Sequence, residues 1–342
     1  MTGFFATAYP GTVTTTPLID PFSRRVRDLR ISVTDRCNFR CTYCMPEEGM
    51  QWLPRQELLT YEELARVAAV CVERWGFDGI RITGGEPTVR AHLHRLFELL
   101  RPLGVDLAMT TNGVRLPELA HDLAAAGLSR VNVSLDTLRR ETFLALTRRD
   151  ELDRVLAGID AALEAGLTPV KVNAVLLRGV NDDEACDLLA WAIAHDYHLR
   201  FIEQMPLDAQ HDWHRDTMVT AEEILEWLGR EFTLTPASQP RGSAPAELFT
   251  VDGGPATVGV IASVTRPFCG DCDRTRLTAD GQIRNCLFAR EESDLRTALR
   301  TGATDQEIAE RWVIAMLGKR AGHGIDDVTF LQPDRPMSAI GG

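Results

Sequence analysis

Short runs of β-branched and apolar residues alternate along the chain with segments in which apolar residues recur at helical spacing. The runs predict six strands: LRISVTD (29–35), GIRITGG (79–85), LAMTTNG (107–113), RVNVSLD (130–136), PVKVNAVLL (169–177) and HLRFIEQMP (198–206). Helices are predicted between them, near 60–75, 92–101, 117–126, 151–165 and 182–196. Thr60 and Glu63 predict a capping box at the start of the first helix, and Gly76 predicts the end of that helix. Asn181 predicts the start of the helix near 182–196.

Repeated βα units predict parallel strands joined by right-handed crossovers. Six such units make an α/β fold, an incomplete (β/α)6 barrel of the TIM type. In barrels of this kind the chemistry lies at the C-terminal ends of the strands. Polar residues end the predicted strands here: Thr34-Asp35, Gly84-Gly85-Glu86, Thr111-Asn112, Ser134 with Asp136, and Glu203-Gln204. The pattern therefore predicts a functional site at that end of the barrel.

The alternation changes after about residue 215. A helical segment, AEEILEWLGREF, is followed by the Pro/Ser/Gly-rich stretch TPASQPRGSAPAE and by short strand-like pieces, with a turn predicted at Asp280-Gly281. Two more helices are predicted near 292–301 and 304–318. We therefore predict three parts: a flexible N-terminal arm (1–23), the barrel (24–215) and a C-terminal α+β extension (216–342).

Composition narrows the possible partners and location. Of 342 residues 44% are apolar, and the net charge is −12. This charge argues against nucleic acid or an anionic membrane as a partner. No run of 18 apolar residues and no leader pattern occurs, so we expect a soluble cytoplasmic protein. Lysine occurs only at Lys171 and Lys319.

Six of the eight cysteines fall into two groups, which points to metal rather than disulfides. Cys37, Cys41 and Cys44 have the spacing C-x3-C-x2-C. Tetrahedral zinc takes four ligands, whereas three thiolates on a [4Fe–4S] cubane leave one iron open. That iron can chelate S-adenosylmethionine (SAM). A structural zinc site is the alternative.

The second group is Cys269, Cys272 and Cys286, spaced C-x2-C-x13-C. Its cysteines fit equally a cluster or a zinc site completed by a fourth ligand such as His323. Arg274 and Arg276 fall on one face of an extended strand, where two guanidinium groups suit a triphosphate; a solvated strand face is the alternative.

Three further cations interrupt strands that otherwise read as apolar: Arg81, Lys171 and Arg200. Burying such a charge alone is costly, which suggests an anionic partner; a salt bridge to a nearby carboxylate is the alternative.

The chain resembles the radical SAM superfamily and, within it, the GTP 3′,8-cyclase family (molybdenum cofactor biosynthesis protein A). The resemblance runs from about Arg24 to Gly342 and rests on RDLRISVTDRCNFRCTYCMP, IRITGGEPTVR, TTNG, VNVSLD, VKVNAVLLRGVND, LRFIEQMP, CGDCDRTRLTADG and the terminal MSAIGG. It implies a radical SAM lyase that converts GTP to (8S)-3′,8-cyclo-7,8-dihydro-GTP. It also implies two [4Fe–4S] clusters with SAM, a flavodoxin- or ferredoxin-like electron donor, a homodimer, and cyclic pyranopterin monophosphate synthase as the next enzyme.

The resemblance assigns roles to matching positions. Cys37, Cys41 and Cys44 would hold the SAM cluster, and Cys269, Cys272 and Cys286 the second. Tyr43, Gly84, Gly85, Glu86, Ser134 and Met205 are expected around SAM, the glycines for close approach of its amine and Glu86 as a negative partner. GTP would be bound by Arg30, Arg81, Thr111, Lys171, Arg200, Arg274, Thr275 and Arg276. Arg274, Arg276, Gly341 and Gly342 are expected to act in catalysis, with the glycine tail reaching into the site.

One position departs from the family pattern. Many relatives have a lysine two places before the arginine of the second strand, where this chain has Gly79, so that role is not carried over. Two alternatives remain: another two-cluster radical SAM enzyme, such as a peptide-modifying one, and a zinc-stabilised scaffold without catalysis. The cyclase assignment requires both thiol groups to face one shared cavity.

Overall fold

Strands and helices alternate through the first two thirds of the chain, as the apolar pattern predicts. The structure is a computed structural model that describes residues 15–341. The strands are β1 (Leu18–Ile19), β2 (Arg25–Val26), β3 (Asp28–Ser32), β4 (Gly79–Thr83), β5 (Asp106–Thr111), β6 (Arg130–Ser134), β7 (Lys171–Val175), β8 (His198–Ile202), β9 (Leu234–Pro236), β10 (Glu247–Val251), β11 (Thr257–Ile261), β12 (Arg274–Leu277), β13 (Gln282–Arg284) and β14 (Ser293–Asp294). The helices are α1 (Tyr61–Trp75), α2 (His94–Leu100), α3 (Leu116–Ala126), α4 (Arg140–Thr147), α5 (Leu152–Glu164), α6 (Ala185–Ala194), α7 (Ala221–Leu228), α8 (Arg296–Arg300), α9 (Asp305–Leu317) and α10 (Met337–Ile340).

Twelve strands form one sheet, in the order β14-β13-β12-β3-β4-β5-β6-β7-β8-β11-β10-β9. The six strands β3 to β8 lie parallel in chain order. They are the six predicted strands, and the incomplete barrel is confirmed. Their outward side chains, such as Ile31, Ile82 and Phe201, are fully buried under the helices. Each contributes about 1.5–3 kcal/mol by leaving water.

The C-terminal region adds a strand to each edge of this parallel set. β12 pairs in parallel with β3, and β11 pairs in parallel with β8. Antiparallel strands follow on both sides, β13 and β14 at one edge and β10 and β9 at the other. An open edge of β3 or β8 would present unpaired N–H and C=O groups, so the extension covers both.

The local signals at the first helix are observed in full. Thr60 and Glu63 exchange both bonds of the capping box, and Gly76 ends α1 in the left-handed conformation with φ of 65°. The predicted turn at Asp280-Gly281 joins β12 to β13. Helix α4 was not predicted: it is short, and no side chain caps its start.

Asn181 does not cap the helix that follows it, which is a correction to the sequence-based expectation. Its amide nitrogen donates to the carbonyls of Asp136, at 2.7 Å, and Val175, at 3.0 Å. Its oxygen accepts from the Leu177 N–H at 2.7 Å. The fully buried side chain thus joins the C-terminal ends of β6 and β7, and α6 begins without a side-chain cap.

The predicted N-terminal arm lies partly outside the described residues. Within it, β1 pairs with β2, and Leu18 is buried. Asp20 accepts the N–H groups of Phe22 and Arg24, which fixes the turn between the two strands. Leu18 and Asp20 therefore anchor this segment, whereas most of its other side chains are exposed. Across residues 15–341, none of the helices has both the length and the apolar character to cross a bilayer.

Candidate active site

The first cysteine group lies in the loop that follows β3. Cys37, Cys41 and Cys44 are each half-buried. The Phe39 N–H donates to Cys37 Sγ at 3.4 Å, and the Cys44 N–H to the Cys41 carbonyl at 2.9 Å. Burial, and then the charges of Glu86 and Cys44, raise the pKa of Cys37 to about 12. Burial, with the charge of Asp208 adding to it, raises the pKa of Cys44 to about 11. Such thiols need a bound cation to ionise, which fits a metal cluster.

The glycines of the GGEP segment allow two loops to cross. A Cβ on Gly84 would lie 2.4 Å from the Thr34 carbonyl oxygen, and one on Gly85 would lie 2.4 Å from that of Arg36. The Gly85 N–H donates to the Thr34 carbonyl at 2.8 Å. Only glycine permits this approach. The GGEP segment therefore holds residues 34–36, which lead directly into Cys37.

Glu86, expected as a negative partner of SAM, has its carboxylate hydrogen-bonded to protein groups. Its Oε1 accepts from the backbone and hydroxyl of Thr88 and from the Thr111 hydroxyl, and its Oε2 from the Asn112 N–H. All four donors lie 2.6–3.0 Å away. The carboxylate is thus fully engaged in joining the ends of β4 and β5.

Tyr43 is fixed by a residue that follows β6. Its hydroxyl donates to Asp136 Oδ2 at 2.6 Å, and Asp136 Oδ1 accepts the Val175 N–H at 2.9 Å. Burial raises the pKa of Asp136 to about 6. Ser134, two residues earlier, ends β6 and is partly exposed. The aromatic ring before Cys44 is therefore tied to the barrel.

A cavity of about 700 Å³ occupies the barrel interior. Strand register aligns its cations, because Arg276, Arg30 and Arg81 are direct neighbours across β12, β3 and β4. Lys171 lines the same cavity, as does Arg200. Within residues 15–341, the cations that line the cavity are Arg27, Arg30, Arg81, Arg130, Lys171, Arg200, Arg241, Arg274 and Arg276. Among the described lining residues, Asp28 is the single carboxylate.

Three of these cations have guanidinium nitrogens without a protein partner among the described residues. Nε of Arg30, Nε and Nη1 of Arg81, and Nε of Arg274 are buried, with no hydrogen-bond partner within residues 15–341. Asp28 is 3.9 Å from the nearest nitrogens of Arg30 and Arg274. Burial and then the charges of Arg200, Arg130 and Arg81 lower the pKa of Lys171 to about 8.

Burial also lowers the pKa of Arg81, with repulsion from Arg30 as the next cause. An anion in the cavity would relieve this repulsion and satisfy the free donors.

Two of the expected substrate contacts point away from the cavity. The Thr111 hydroxyl donates to Glu86, and its neighbour Thr110 lines the cavity instead. The fully buried Thr275 has its hydroxyl 3.4 Å from the Arg284 carbonyl, on the opposite face from Arg274 and Arg276. Both placements follow from the alternation of side chains along a strand.

The second cysteine group closes one end of the barrel cavity. Cys269, Cys272 and Cys286 all line a small cavity of about 70 Å³, which shares Arg274 and Met205 with the barrel cavity. The β12–β13 hairpin brings Cys286 back to the other two cysteines. Met205, expected near SAM, lies at this junction.

His323 is not placed to complete a zinc site. Its Nδ1 accepts the Ile325 N–H at 3.1 Å, so Nε2 carries the proton and faces the Ser263 carbonyl at 3.0 Å. Both ring nitrogens are therefore engaged with the backbone. Within residues 15–341, no three His, Cys, Asp or Glu side chains are arranged to hold a single metal ion, and this includes both cysteine groups; the thiolates of a cubane each bind a different iron.

The C-terminal tail reaches the barrel interior. Arg276 Nη1 donates to the Gly341 carbonyl at 2.6 Å, and the Ser32 hydroxyl to that of Ile340 at 2.7 Å. Gly341 has φ of 85°, and a Cβ on it would lie 2.2 Å from Ser32 Oγ. Gly342 lies outside the described residues.

The tail also connects the two cysteine groups. Met337 lines the barrel cavity, the Ser338 hydroxyl donates to Met50 Sδ at 3.6 Å, and Ser338 partly opposes the rise that burial causes in the pKa of Cys44. Neither cysteine group lines the barrel cavity itself, so the expectation that both thiol groups face one shared cavity is not met: the second group lines only the adjoining small cavity, and tail residues lie between the first group and the barrel cavity.

Sequence reasoning did not identify several cavity residues. Arg130 and Asn132 follow the inward alternation of RVNVSLD, so their spacing from Ser134 was an available signal. Arg27 precedes β3 by one residue. Arg241 lies in the Pro/Ser/Gly-rich stretch, where no periodicity marks its direction.

Comparisons with known proteins agree with this geometry. Residues 31–192 match the radical SAM superfamily, and residues 197–325 match Molybdenum Cofactor Synthesis C. The chain is 62% identical over 328 residues to the GTP 3′,8-cyclase of Streptomyces coelicolor, covering 95% of this chain and 96% of that one. It is 58% identical over 335 residues to a GTP 3′,8-cyclase of a Mycobacterium species, covering 97% and 95%.

Among solved structures, SuiB of Streptococcus suis, bound to its precursor peptide SuiA, superimposes with a TM-score of 0.57 at 14% identity. The match covers 92% of this chain and 67% of SuiB. At that identity the likeness shows the fold alone.

Proposed function

This chain belongs to the GTP 3′,8-cyclase family of radical SAM enzymes, and from that premise we propose how its residues hold the substrate and the cofactors. The enzyme converts GTP to (8S)-3′,8-cyclo-7,8-dihydro-GTP, the first step of molybdenum cofactor biosynthesis. Its family uses a [4Fe–4S] cluster and SAM.

Cys37, Cys41 and Cys44 are proposed to hold the SAM cluster. Their place in one loop, the charge interaction of Cys41 with both other thiols and the N–H donor at Cys37 support this. When bound there, the cluster and SAM would supply radical chemistry at ribose C3′. The chain's own part is to fix the loop, through the Gly84–Gly85 crossing and the Tyr43–Asp136 bond.

The barrel cavity is proposed to bind GTP, with the triphosphate among the unpartnered cations. The buried guanidinium groups of Arg30, Arg81 and Arg274 carry this proposal, because each has free N–H donors directed at no protein acceptor. Phosphate oxygens accept such donors in charge-assisted bonds. Lys171 and Arg200 add charge from β7 and β8. The enzyme's task is to position C3′ and the base, for which fixed cations suffice.

A second [4Fe–4S] cluster is proposed at Cys269, Cys272 and Cys286, next to the guanine end of the cavity. The shared lining of the two cavities supports this, and the engaged ring of His323 disfavours the zinc alternative. Arg276 and Gly341 are proposed to order the site together, with Gly342 beyond them. The peptide-modifying alternative has less support, since the likeness to SuiB is one of fold.

The cellular setting is proposed from the cysteines and from the family. Eight unpaired cysteines suit a reducing compartment such as the cytoplasm. A flavodoxin- or ferredoxin-like donor, a homodimer, and transfer of product to cyclic pyranopterin monophosphate synthase are proposed from the family resemblance alone.

The test is anaerobic reconstitution with GTP, SAM and dithionite, followed by mass spectrometry of the product and iron analysis. Two cubanes give about eight irons per chain. Arg81→Met removes free donors from the cavity and is expected to raise the KM for GTP about 10- to 100-fold, the value of one or two charged hydrogen bonds.

Arg95→Met, at an exposed position on α2, is the control and should leave the KM unchanged. Acceleration of SAM cleavage by peptide but not by GTP, or an unchanged KM in Arg81→Met, would contradict the proposal.

A further inference from the structure

Two buried cations lie beside the second cysteine group and take no part in the substrate cavity. Lys319 follows α9, and Arg24 precedes β2. Neither lines the barrel cavity, and both are less than 10% exposed. Lys319 is one of only two lysines in the chain. Their contacts converge on the backbone that carries the cysteines.

Lys319 holds the strand side of the cysteine group. Its ammonium donates to the Arg274 carbonyl at 2.6 Å and to the Cys272 carbonyl at 3.2 Å. These two carbonyls flank the turn from Cys272 into β12. The ammonium therefore fixes the backbone of a predicted cluster ligand and of a predicted substrate arginine at once.

Arg24 holds the opposite side of the second cysteine group, at Cys269. Its Nη1 donates to the Cys269 carbonyl at 2.5 Å and to the Ala321 carbonyl at 2.9 Å, and its Nη2 donates to the Arg320 carbonyl at 2.6 Å. Asp20 Oδ2 accepts a hydrogen bond from Arg24 Nε at 2.6 Å, and both side chains are buried. Arg24 thus joins the Cys269 turn to residues 320–321, next to Lys319.

The two cations differ in how their charge is balanced. Arg24 forms an ion pair with Asp20, whereas no carboxylate within residues 15–341 lies within 4.0 Å of the Lys319 ammonium. A buried charge without a counter-ion is costly, so an anion is expected nearby. A [4Fe–4S] core bound by three thiolates has one net negative charge, and one-electron reduction adds a second. Such a group would supply the missing counter-charge.

We propose that Lys319 is a positioning residue that holds the Cys272 turn and compensates the charge of the second cluster, with Arg24 bracing the Cys269 turn. The inference rests on the proposed second cluster. A fixed positive charge beside a cluster favours its more negative, reduced state. Removing that charge should therefore make the reduction potential of the second cluster more negative.

The experiment is a redox titration of the full-length chain, followed by electron paramagnetic resonance. The background is Cys37→Ala/Cys41→Ala/Cys44→Ala, so that every signal comes from the second cluster. In this background Lys319→Met should lower the reduced-to-oxidised ratio at fixed potential about tenfold, which for one electron is about 59 mV. Lys319→Arg keeps the charge and should restore most of the potential. Arg320→Met removes an adjacent but exposed charge and should change nothing.

Every outcome bears on the inference. A more negative potential in Lys319→Met supports the proposal, and an unchanged potential contradicts it. The same substitution is also made in the chain that keeps Cys37, Cys41 and Cys44, where loss of the second cluster while the first group still cleaves SAM supports the proposal. Loss of both clusters with the fold from that chain, in Lys319→Met and Lys319→Gln alike, contradicts it, because a residue specific to one cluster should spare the other. If the parent chain holds only one cluster, the proposed function itself is wrong, and iron analysis before mutation reveals this separately.

Discussion

The charged residues that line the barrel cavity affect one another's pKa values. Arg81, Lys171 and Arg200 lie on three different strands, yet register places them around one space with a single carboxylate, Asp28, in its described lining. Repulsion and burial lower the pKa of each. The cavity thus favours binding of an anion. Of these three residues, Lys171 is the one that can lose its proton near neutral pH.

Lys171 predicts how GTP binding depends on pH. Its pKa of about 8 in the free enzyme means that the ammonium is mostly charged at pH 7 and loses its proton as pH rises through 8. A bound triphosphate favours the charged form, so the KM for GTP should rise above pH 8, approaching about tenfold per pH unit. Steady-state kinetics between pH 7 and 9.5 measure this.

Lys171→Arg is the control, because a guanidinium stays charged throughout that range. It should flatten the rise, whereas titration of the nucleotide itself affects both proteins. A KM that rises equally in the two would contradict a role for Lys171.

Gly341 predicts the effect of a single added methyl group on the tail. In Gly341→Ala the new Cβ would lie 2.2 Å from Ser32 Oγ and 2.6 Å from Thr83 Cγ2, so the tail must leave its place. Arg276 would then lose the Gly341 carbonyl. We expect turnover of GTP to fall about 100-fold, the scale of an ångström-sized misplacement, with both clusters retained.

Gly302→Ala is a matched control for that substitution. Gly302 has φ of 84°, against 85° at Gly341, but a Cβ there meets nothing within 4 Å. Gly302→Ala therefore introduces the same backbone strain, about 1–2 kcal/mol, without a steric clash between the new Cβ and a neighbouring atom. Normal turnover in Gly341→Ala, or equal losses in the two variants, would rule out the tail contact as the cause.

At the scale of elements, the sequence predicts what periodicity and caps encode. All six barrel strands and helices α1, α2, α3, α5 and α6 were predictable from alternation, and α1 from its capping box as well. Helix α10, which has four residues, was not predicted. An extended strand at Arg274–Arg276 was predicted and is β12, but its pairing, like that of the five-residue β11, depends on tertiary contacts. No local feature of the sequence indicates that β12 pairs with β3 or that β11 pairs with β8.

The GGEP segment after β4 predicts the dependence of the first cysteine group on a neighbouring element. A Cβ on Gly85 would lie 2.4 Å from the Arg36 carbonyl oxygen and 2.5 Å from that of Asp35. Gly85→Ala should therefore displace the segment that ends at Cys37. We expect loss of one cubane, so iron falls from about eight to about four per chain, and SAM cleavage is abolished.

Gly79→Ala, at the opposite end of β4, supplies the comparison. A Cβ there meets nothing within 4 Å, so both clusters and SAM cleavage should persist. Full iron content in Gly85→Ala would show that the loop crossing does not fix the first cysteine group.

At the scale of the whole molecule, residue types were more predictable than side-chain directions. The six cysteines of the two groups and the cations Arg30, Arg81, Lys171, Arg200, Arg274 and Arg276 could be singled out from the sequence, and the structure gathers those cations in one cavity. Thr111 and Thr275 point away from the cavity, as the alternation of side chains along β5 and β12 requires, and that alternation was available from the sequence. Glu86 lies in the loop after β4, where no periodicity indicates that its carboxylate joins the ends of β4 and β5. The covering of both sheet edges by one C-terminal region is a property of topology alone.

That topology predicts that residues 1–215 do not fold independently, although the change of pattern suggests a boundary there. Without the extension, β3 loses β12 and β8 loses β11, so both edges of the parallel set expose their N–H and C=O groups. Trp312 of α9, fully buried in the complete chain, would be absent as well. Exposed parallel edges pair with other chains, so the truncated protein should elute as aggregates in size-exclusion chromatography.

A chain ending at residue 336 keeps every strand and should elute as the full-length protein does. If residues 1–215 instead elute as a compact species and unfold cooperatively in urea, the barrel is a domain of its own, and the two added strands serve the site rather than the fold.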